Sequence, residues 1–261
     1  MTQNFSQFTN FEQFFTILRR FQTPSLLWYS VPGERVELSG RVLDNWISKS
    51  ANFLVDECEI ESGTTVDVVM GAHWRSVVIA LATLRVGATF SSELSGAETV
   101  FSFTPEDLKE LDVEYPVIVD RGPLSPRFMG KLPAGIVDYC AEVRAHGDVY
   151  SGFELPVENN RAFTDISFEE ALGAVKKKAA LCDSLAEGFS AVQIQAPKTL
   201  SATYLIDLLA IMASGRGVVV LDPTLDWDDA RVQRILSDER AISLSSWKLS
   251  SVPAASSPDR R

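Results

Sequence analysis

The chain has 261 residues, enough for one large α/β domain or two small ones, which excludes a peptide scaffold. Its 35 Asp and Glu against 24 Lys and Arg give a formal charge of -11, which argues against a generic electrostatic grip on nucleic acid or on an anionic membrane. Three widely spaced Cys without a C-x-x-C pair, and only two His, support neither a disulfide framework nor a zinc site. No apolar run reaches the ~18 residues of a membrane span, so a cytoplasmic protein without membrane span, metal or cofactor is expected.

In chain order, Phe5, Phe8, Phe11, Phe15, Leu18 and Phe21 recur at spacings of three or four and predict an amphipathic helix over Asn4–Phe21 that docks on the body. Ser25–Ser30 and Glu34–Leu38 read as a hairpin about Val31-Pro32-Gly33. Ser39 opens a helix with Val42, Trp46, Ile47, Ala51, Phe53 and Leu54 on its apolar side, fading by Glu59. A buried-type strand, Val66–Met70, turns through Gly71-Ala72 into a helix over His73–Arg85, which Gly87 closes before a strand at Ala88–Phe90. Thr99–Phe103 and Pro116–Val119 are short strands joined by a helix that Thr104 caps and Pro105 begins.

The order then recurs. Ser167-Phe168-Glu169-Glu170 is a capping box for a helix to Leu185, Ala191–Ala196 is a strand, Thr199–Ala213 an apolar helix closed by Gly215 and Gly217, and Val218–Leu221 a buried parallel strand. Asp226-Trp227-Asp228-Asp229 caps a last helix to Asp238, and Ala241–Leu244 is the final strand. Placing Ser39 on Ser167 also places Gly87 on Gly215, a 128-residue offset that marks a repeat. The fold class expected is α/β, with two similar doubly wound subdomains. Residues 1–148 hold the first with its N-terminal helix and hairpin, 149–245 the second, and 246–261 a disordered tail.

Gly63, Val66, the helix Val77–Leu84 and Leu84-Arg85-Val86-Gly87-Ala88 resemble an early stretch of the adenylate-forming (AMP-binding, acyl-CoA synthetase-like) superfamily. There a Gly-Asp-x-Val strand leads to an apolar helix closed by Leu-Lys-x-Gly-Ala. Val192–Pro197, the helix Leu205–Ala213, Gly217–Asp222 and the run from Asp226 to Leu236 resemble the family's next subdomain. The likeness covers residues 10–245 and implies an acetyl-CoA-synthetase-like N-terminal domain. It rests on packing residues and speaks for fold, not for chemistry.

The chemistry departs. Where the family carries a Thr-Ser-Gly-Thr-Thr-Gly-x-Pro-Lys-Gly phosphate loop, this chain runs from Val149 to Arg161 with only Tyr150-Ser151-Gly152 matching, and no Lys stands between Lys131 and Lys176. Glu154 and Glu158 would repel phosphate, and Phe153, Leu155, Pro156 and Val157 predict that the segment packs down instead. The family's metal-binding segment, ribose-binding Asp and catalytic-lysine domain have no counterpart in this sequence. The resemblance therefore implies a truncated, degenerate relative, an N-terminal domain alone, acting as a non-catalytic module for an unknown protein partner. An acyl or nucleotide ligand in the cleft between subdomains is the alternative, with candidate residues Ala72, His73, Tyr150, Ser151, Gly152, Arg161 and Pro197. A third reading makes His73, just past a parallel strand, a catalytic base. Asp222, Asp226, Asp228 and Asp229 read as helix capping rather than as a cation site. No nucleophile elbow, P-loop or dinucleotide fingerprint is present.

Overall fold

In the computed structural model, which describes residues 8–31, 33–109, 111–152 and 160–244, two sheets carry the chain and each draws strands from both halves of the sequence. The first half supplies α1 (Phe11–Leu18), the hairpin β1 (Pro24–Tyr29) and β2 (Arg35–Ser39), then α2 (Gly40–Cys58), β3 (Thr65–Val68), α3 (Trp74–Arg85) and β4 (Thr89–Ser91). It continues through β5 (Thr99–Ser102), the single turn α4 (Glu106–Lys109), β6 (Tyr115–Ile118), β7 (Val137–Asp138) and α5 (Tyr139–Glu142). The second half repeats the plan with the hairpin β8 (Arg161–Phe163) and β9 (Ile166–Ser167), α6 (Phe168–Leu185), β10 (Ala191–Gln193), α7 (Ala202–Ala213) and β11 (Gly217–Leu221), and ends in α8 (Asp229–Asp238) and β12 (Ala241–Ser243).

The internal repeat is written into local chemistry. Ser39 caps α2 by accepting from the Val42 amide, and Ser167 caps α6 by accepting from Glu170, whose carboxylate returns a bond to the Ser167 amide. The bounds of α3 and α7 correspond residue for residue at the 128-residue offset. Each helix is followed by a glycine in the left-handed region, Gly87 at φ 79° and Gly215 at φ 76°, where a side chain would be strained.

The two repeats do not keep their hairpins. β1 lies parallel to β11, so the first hairpin completes the sheet β12-β10-β11-β1-β2, whereas β8 lies parallel to β4 and the second hairpin completes β7-β6-β5-β3-β4-β8-β9. A boundary at 148/149 therefore does not separate the two sheets, and the hairpin assigned to the first unit belongs by hydrogen bonding to the second unit's sheet. Between the sheets a single large apolar cluster joins Phe15, Trp28, Ile47, Val78, Phe101, Leu205 and Val220. Burial of so many large side chains, at about 1.5–3 kcal/mol each, is what holds helices and sheets together.

Several local expectations shift by a turn. α1 begins at Phe11, because the Asn10 side chain accepts from the Gln13 amide and fixes the start there; Phe8 is buried ahead of the helix, and residues 1–7 lie outside the described residues. On α2, Leu43 takes the core position and Val42 is exposed. Lys178, the last of three consecutive lysines on α6, turns inward on the side of Val175 and Cys182 and pairs with Asp207 of α7. The cap of α8 is Asp228 rather than Asp226, since its carboxylate meets the Arg231 amide at 2.8 Å. The tail from 245 and the 153–159 segment, with the packing expected of Phe153 and Leu155, lie outside the described residues.

Because Ser167 closes a reciprocal box while Ser39 makes one longer bond, Ser167→Ala should cost about 1–2 kcal/mol and Ser39→Ala about 0.5–1 kcal/mol, read as shifts in urea midpoint at unchanged slope.

Candidate functional site

At the carboxyl ends of β3 and β10, where open α/β sheets bind ligands, the two repeats grip each other. The Ala72 amide donates to the Pro197 carbonyl at 3.0 Å and the Leu200 amide donates to Met70 at 2.9 Å, a reciprocal pair joining the two strand-to-helix turns. A Cβ on Gly71 would stand 2.7 Å from the Lys198 carbonyl, so only glycine lets the turns meet. Of the candidate residues, Ala72, His73 and Pro197 come together here, and Ala72 and His73 are each 1% exposed.

His73 caps α3. Its Nδ1 accepts from the Arg75 amide at 3.1 Å, which puts the ring proton on Nε2, and that nitrogen donates to the Arg121 carbonyl at 3.2 Å. Burial, with help from the neighbouring Arg75 and Arg121 cations, pushes its pKa down to about 3. The ring packs edge to face against Trp28 at 4.5 Å and Phe103 at 5.4 Å. A neutral imidazole with both nitrogens engaged has no lone pair free for a substrate proton.

The next two residues act on the same loop. Trp74 donates from Nε1 to the Pro123 carbonyl at 3.0 Å, and the Arg75 guanidinium, 3% exposed, donates to the carbonyls of Asp120 at 2.9 Å, Ser125 at 3.0 Å and Gly122. Asp120, whose carboxyl burial would raise, is held below its ordinary range by the Ser125 hydroxyl and by the Met129 and Gly122 amides. Three consecutive side chains at the start of α3 thus fix the main chain of residues 120–125.

Arg121 leaves that loop and crosses to the other sheet. Its guanidinium meets both Asp222 oxygens, at 3.0 and 3.1 Å, and Thr224 Oγ1 at 3.0 Å, while Ser30 Oγ donates to Asp222 at 3.2 Å. Burial would raise the Asp222 carboxyl, yet the Thr224 hydroxyl and amide and the Arg121 guanidinium outweigh it and hold the group below the usual carboxylate range. Asp222 is therefore a partner of Arg121, and among the described residues no group of three or more His, Cys, Asp or Glu could hold a metal ion. Arg121 carried no signal in the sequence beyond its place after a strand.

The other candidates stand elsewhere. Tyr150 packs by Arg85, the last residue of α3, with the guanidinium carbon 5.9 Å from its ring centre. That is the far end of a helix of about 18 Å. Ser151 and Gly152 follow it and are exposed. Arg161 begins β8 at the amino-terminal edge of its sheet, where its carbonyl accepts from Thr89 Oγ1 at 2.8 Å. His146, the second of the chain's two histidines, lies 3.3 Å from Asp56 and 3.7 Å from Glu57 of α2, away from the junction.

No family model matches the chain. A TIGR03089 family protein of Mycobacterium tuberculosis (strain ATCC 25618 / H37Rv) is 30% identical over 229 residues, covering 83% of this chain and 89% of that protein. Among solved structures, acetoacetyl-CoA synthetase from Streptomyces lividans matches with a TM-score of 0.65 at 15% identity over 87% of this chain. An acyl-CoA synthetase from Brucella canis matches at 0.64 and 17% over 88%. Coronafacic acid ligase from Pectobacterium brasiliense matches at 0.62 and 14%, also over 88%. The chain spans 40%, 45% and 47% of those three proteins, and the fold is that of the N-terminal region of adenylate-forming ligases.

The unfolded chain binds a proton at this imidazole near pH 6.5 and the folded chain only near 3, so His73 contributes its stability in full above pH 6.5 and loses it as pH falls towards 3. His73→Asn keeps a cap acceptor for the Arg75 amide. Urea unfolding at pH 7 and pH 5 should show the parent losing stability by about 1.4 kcal/mol per unit below its unfolded pKa, and the variant losing correspondingly less.

Proposed function

The chain belongs to the TIGR03089 family, and we propose that it uses an adenylate-forming scaffold as a non-catalytic binding or interaction module. The observation that carries this reading is the state of His73, neutral and bonded at both ring nitrogens in the place where the fold would present a reacting group. Of the two cations beside it, Arg75 is committed to the carbonyls of residues 120–125 and Arg121 to Asp222 and Thr224. A transferring phosphoryl group needs unspent positive charge and aimed donors, and the junction offers its charges to each other. The three free, buried cysteines accord with a cytoplasmic setting, which is part of the same proposal.

The ligases and synthetases that share the fold suggest which small molecules to test. An acyl or nucleotide ligand held between the repeats would need room beside Ala72 and His73, both of which are closed to solvent. Purified protein should therefore catalyse no ATP–pyrophosphate exchange with carboxylic acids. ATP, AMP, CoA and acyl-CoA should each leave its thermal midpoint unchanged, whereas a ligand at 100 times its dissociation constant would add about 2.7 kcal/mol. Exchange above a heat-killed control would make the chain an enzyme, and a saturable shift with one ligand would make it a small-molecule binding protein.

A further inference from the structure

Residues 119–136 connect β6 to β7 without any helix or strand, a length at which loops in compact proteins are usually functional. The loop is nonetheless tied down, by Arg75, Trp74 and His73 at residues 120–125 and by bonds from the Met129 amide to Asp120 and the Phe128 amide to Asp138, at 2.8 and 2.7 Å. On this fixed base Leu124 is 71% exposed, Met129 66% and Leu132 42%. Buried donors have been spent on holding large apolar side chains out in water.

Beside them runs a groove of about 620 Å³ between α4 and the loop, walled by Pro105, Phe128, Leu132 and Pro133. The loop side of the groove carries a charge opposite to that of the molecule. Residues 121–137 contain no acid in a chain of net charge -11, and Arg127 and Lys131 are exposed there. On the α4 side Lys109 and Glu106 line the groove and pair at 3.1 Å, and Asp107 accepts from the Ser102 and Thr104 hydroxyls, so among the described residues the free cations are those of the loop.

We propose that this groove docks an acidic, amphipathic peptide segment of a partner protein, an apolar side chain seating against Phe128, Leu132 and Pro105 and carboxylates facing Lys131 and Arg127. Charge complementarity selects the occupant, since a local cationic surface on an acidic protein attracts an acidic segment and turns away basic ones. A pre-ordered loop loses little freedom on binding. A lipid surface is the poorer fit, because electrostatic recognition of anionic bilayers uses about four to eight clustered cations and the remaining charge of this chain repels such a surface. The proposal rests on the reading of the chain as an interaction module and gives that module its contact surface.

The probe is a phage-displayed library of random 12-residue peptides selected on the whole protein, with enriched sequences synthesised, labelled and titrated by fluorescence anisotropy. Enriched peptides should be net acidic with apolar residues three or four apart. Their affinity should fall at least tenfold in Lys131→Glu and in Leu132→Asp, and severalfold between 50 and 300 mM salt (about a 2.5-fold drop in Debye length). Both positions are exposed, so the thermal midpoints of the variants should match the parent. No enrichment, enrichment of neutral or basic peptides, or parent-like binding by both variants would overturn the proposal. So would co-sedimentation with phosphatidylserine vesicles that both substitutions abolish, which would assign the surface to lipid. ATP–pyrophosphate exchange decides the wider reading separately, so either can fail while the other stands.

Discussion

Each sheet of this molecule is finished by a hairpin from the other half of the chain, and every other feature is arranged around that exchange. β1 pairs in parallel with β11 over four residues, Leu26 to Tyr29 against Val218 to Leu221, and β8 answers by pairing with β4. Neither half can cover its own sheet edge alone, and an uncovered parallel edge exposes a row of unpaired backbone groups. The reciprocal bonds between the Met70–Ala72 and Pro197–Leu200 turns repeat the same logic at the strand ends.

That arrangement explains what became of the place where the fold presents ligands. The turn after β3 is closed by the turn after β10, and Arg121 and Asp222 cross the remaining gap between sheets. Polar groups so placed must be satisfied or they cost heavily. Here they satisfy one another, and His73, Trp74 and Arg75 turn outward only as far as the carbonyls of the neighbouring loop. A constellation that resembles an active site by residue type is, by hydrogen bonding, a scaffold for residues 120–125.

How much of this could be read from the sequence depends on the range of the interaction. The helices α3 and α7 were legible because their signals are local: an apolar run and a closing glycine. The repeat followed from the same marks. The exchange of hairpins was not legible, since alternation tells which face of a strand is buried and not which strand lies beside it. His73 was correctly placed at a strand end, but its role depends on an Arg121 carbonyl 48 residues away, and every residue carries a carbonyl. Lys178 shows the limit of composition: three consecutive lysines look solvated as a group, whereas a helix turns about 100° at each step and hides one of them against Asp207.

If the exchanged hairpins make the two halves one cooperative unit, native-state hydrogen exchange will say so most directly. The amides of β1, β10 and β11 in one sheet and of β3, β4 and β5 in the other should open with a common free energy equal to that of global unfolding, and should converge together as urea is raised. Protection lost from one sheet at a free energy several kcal/mol below that of the other would mean that each half stands alone, and would contradict the interlocked architecture on which this reading of the molecule rests.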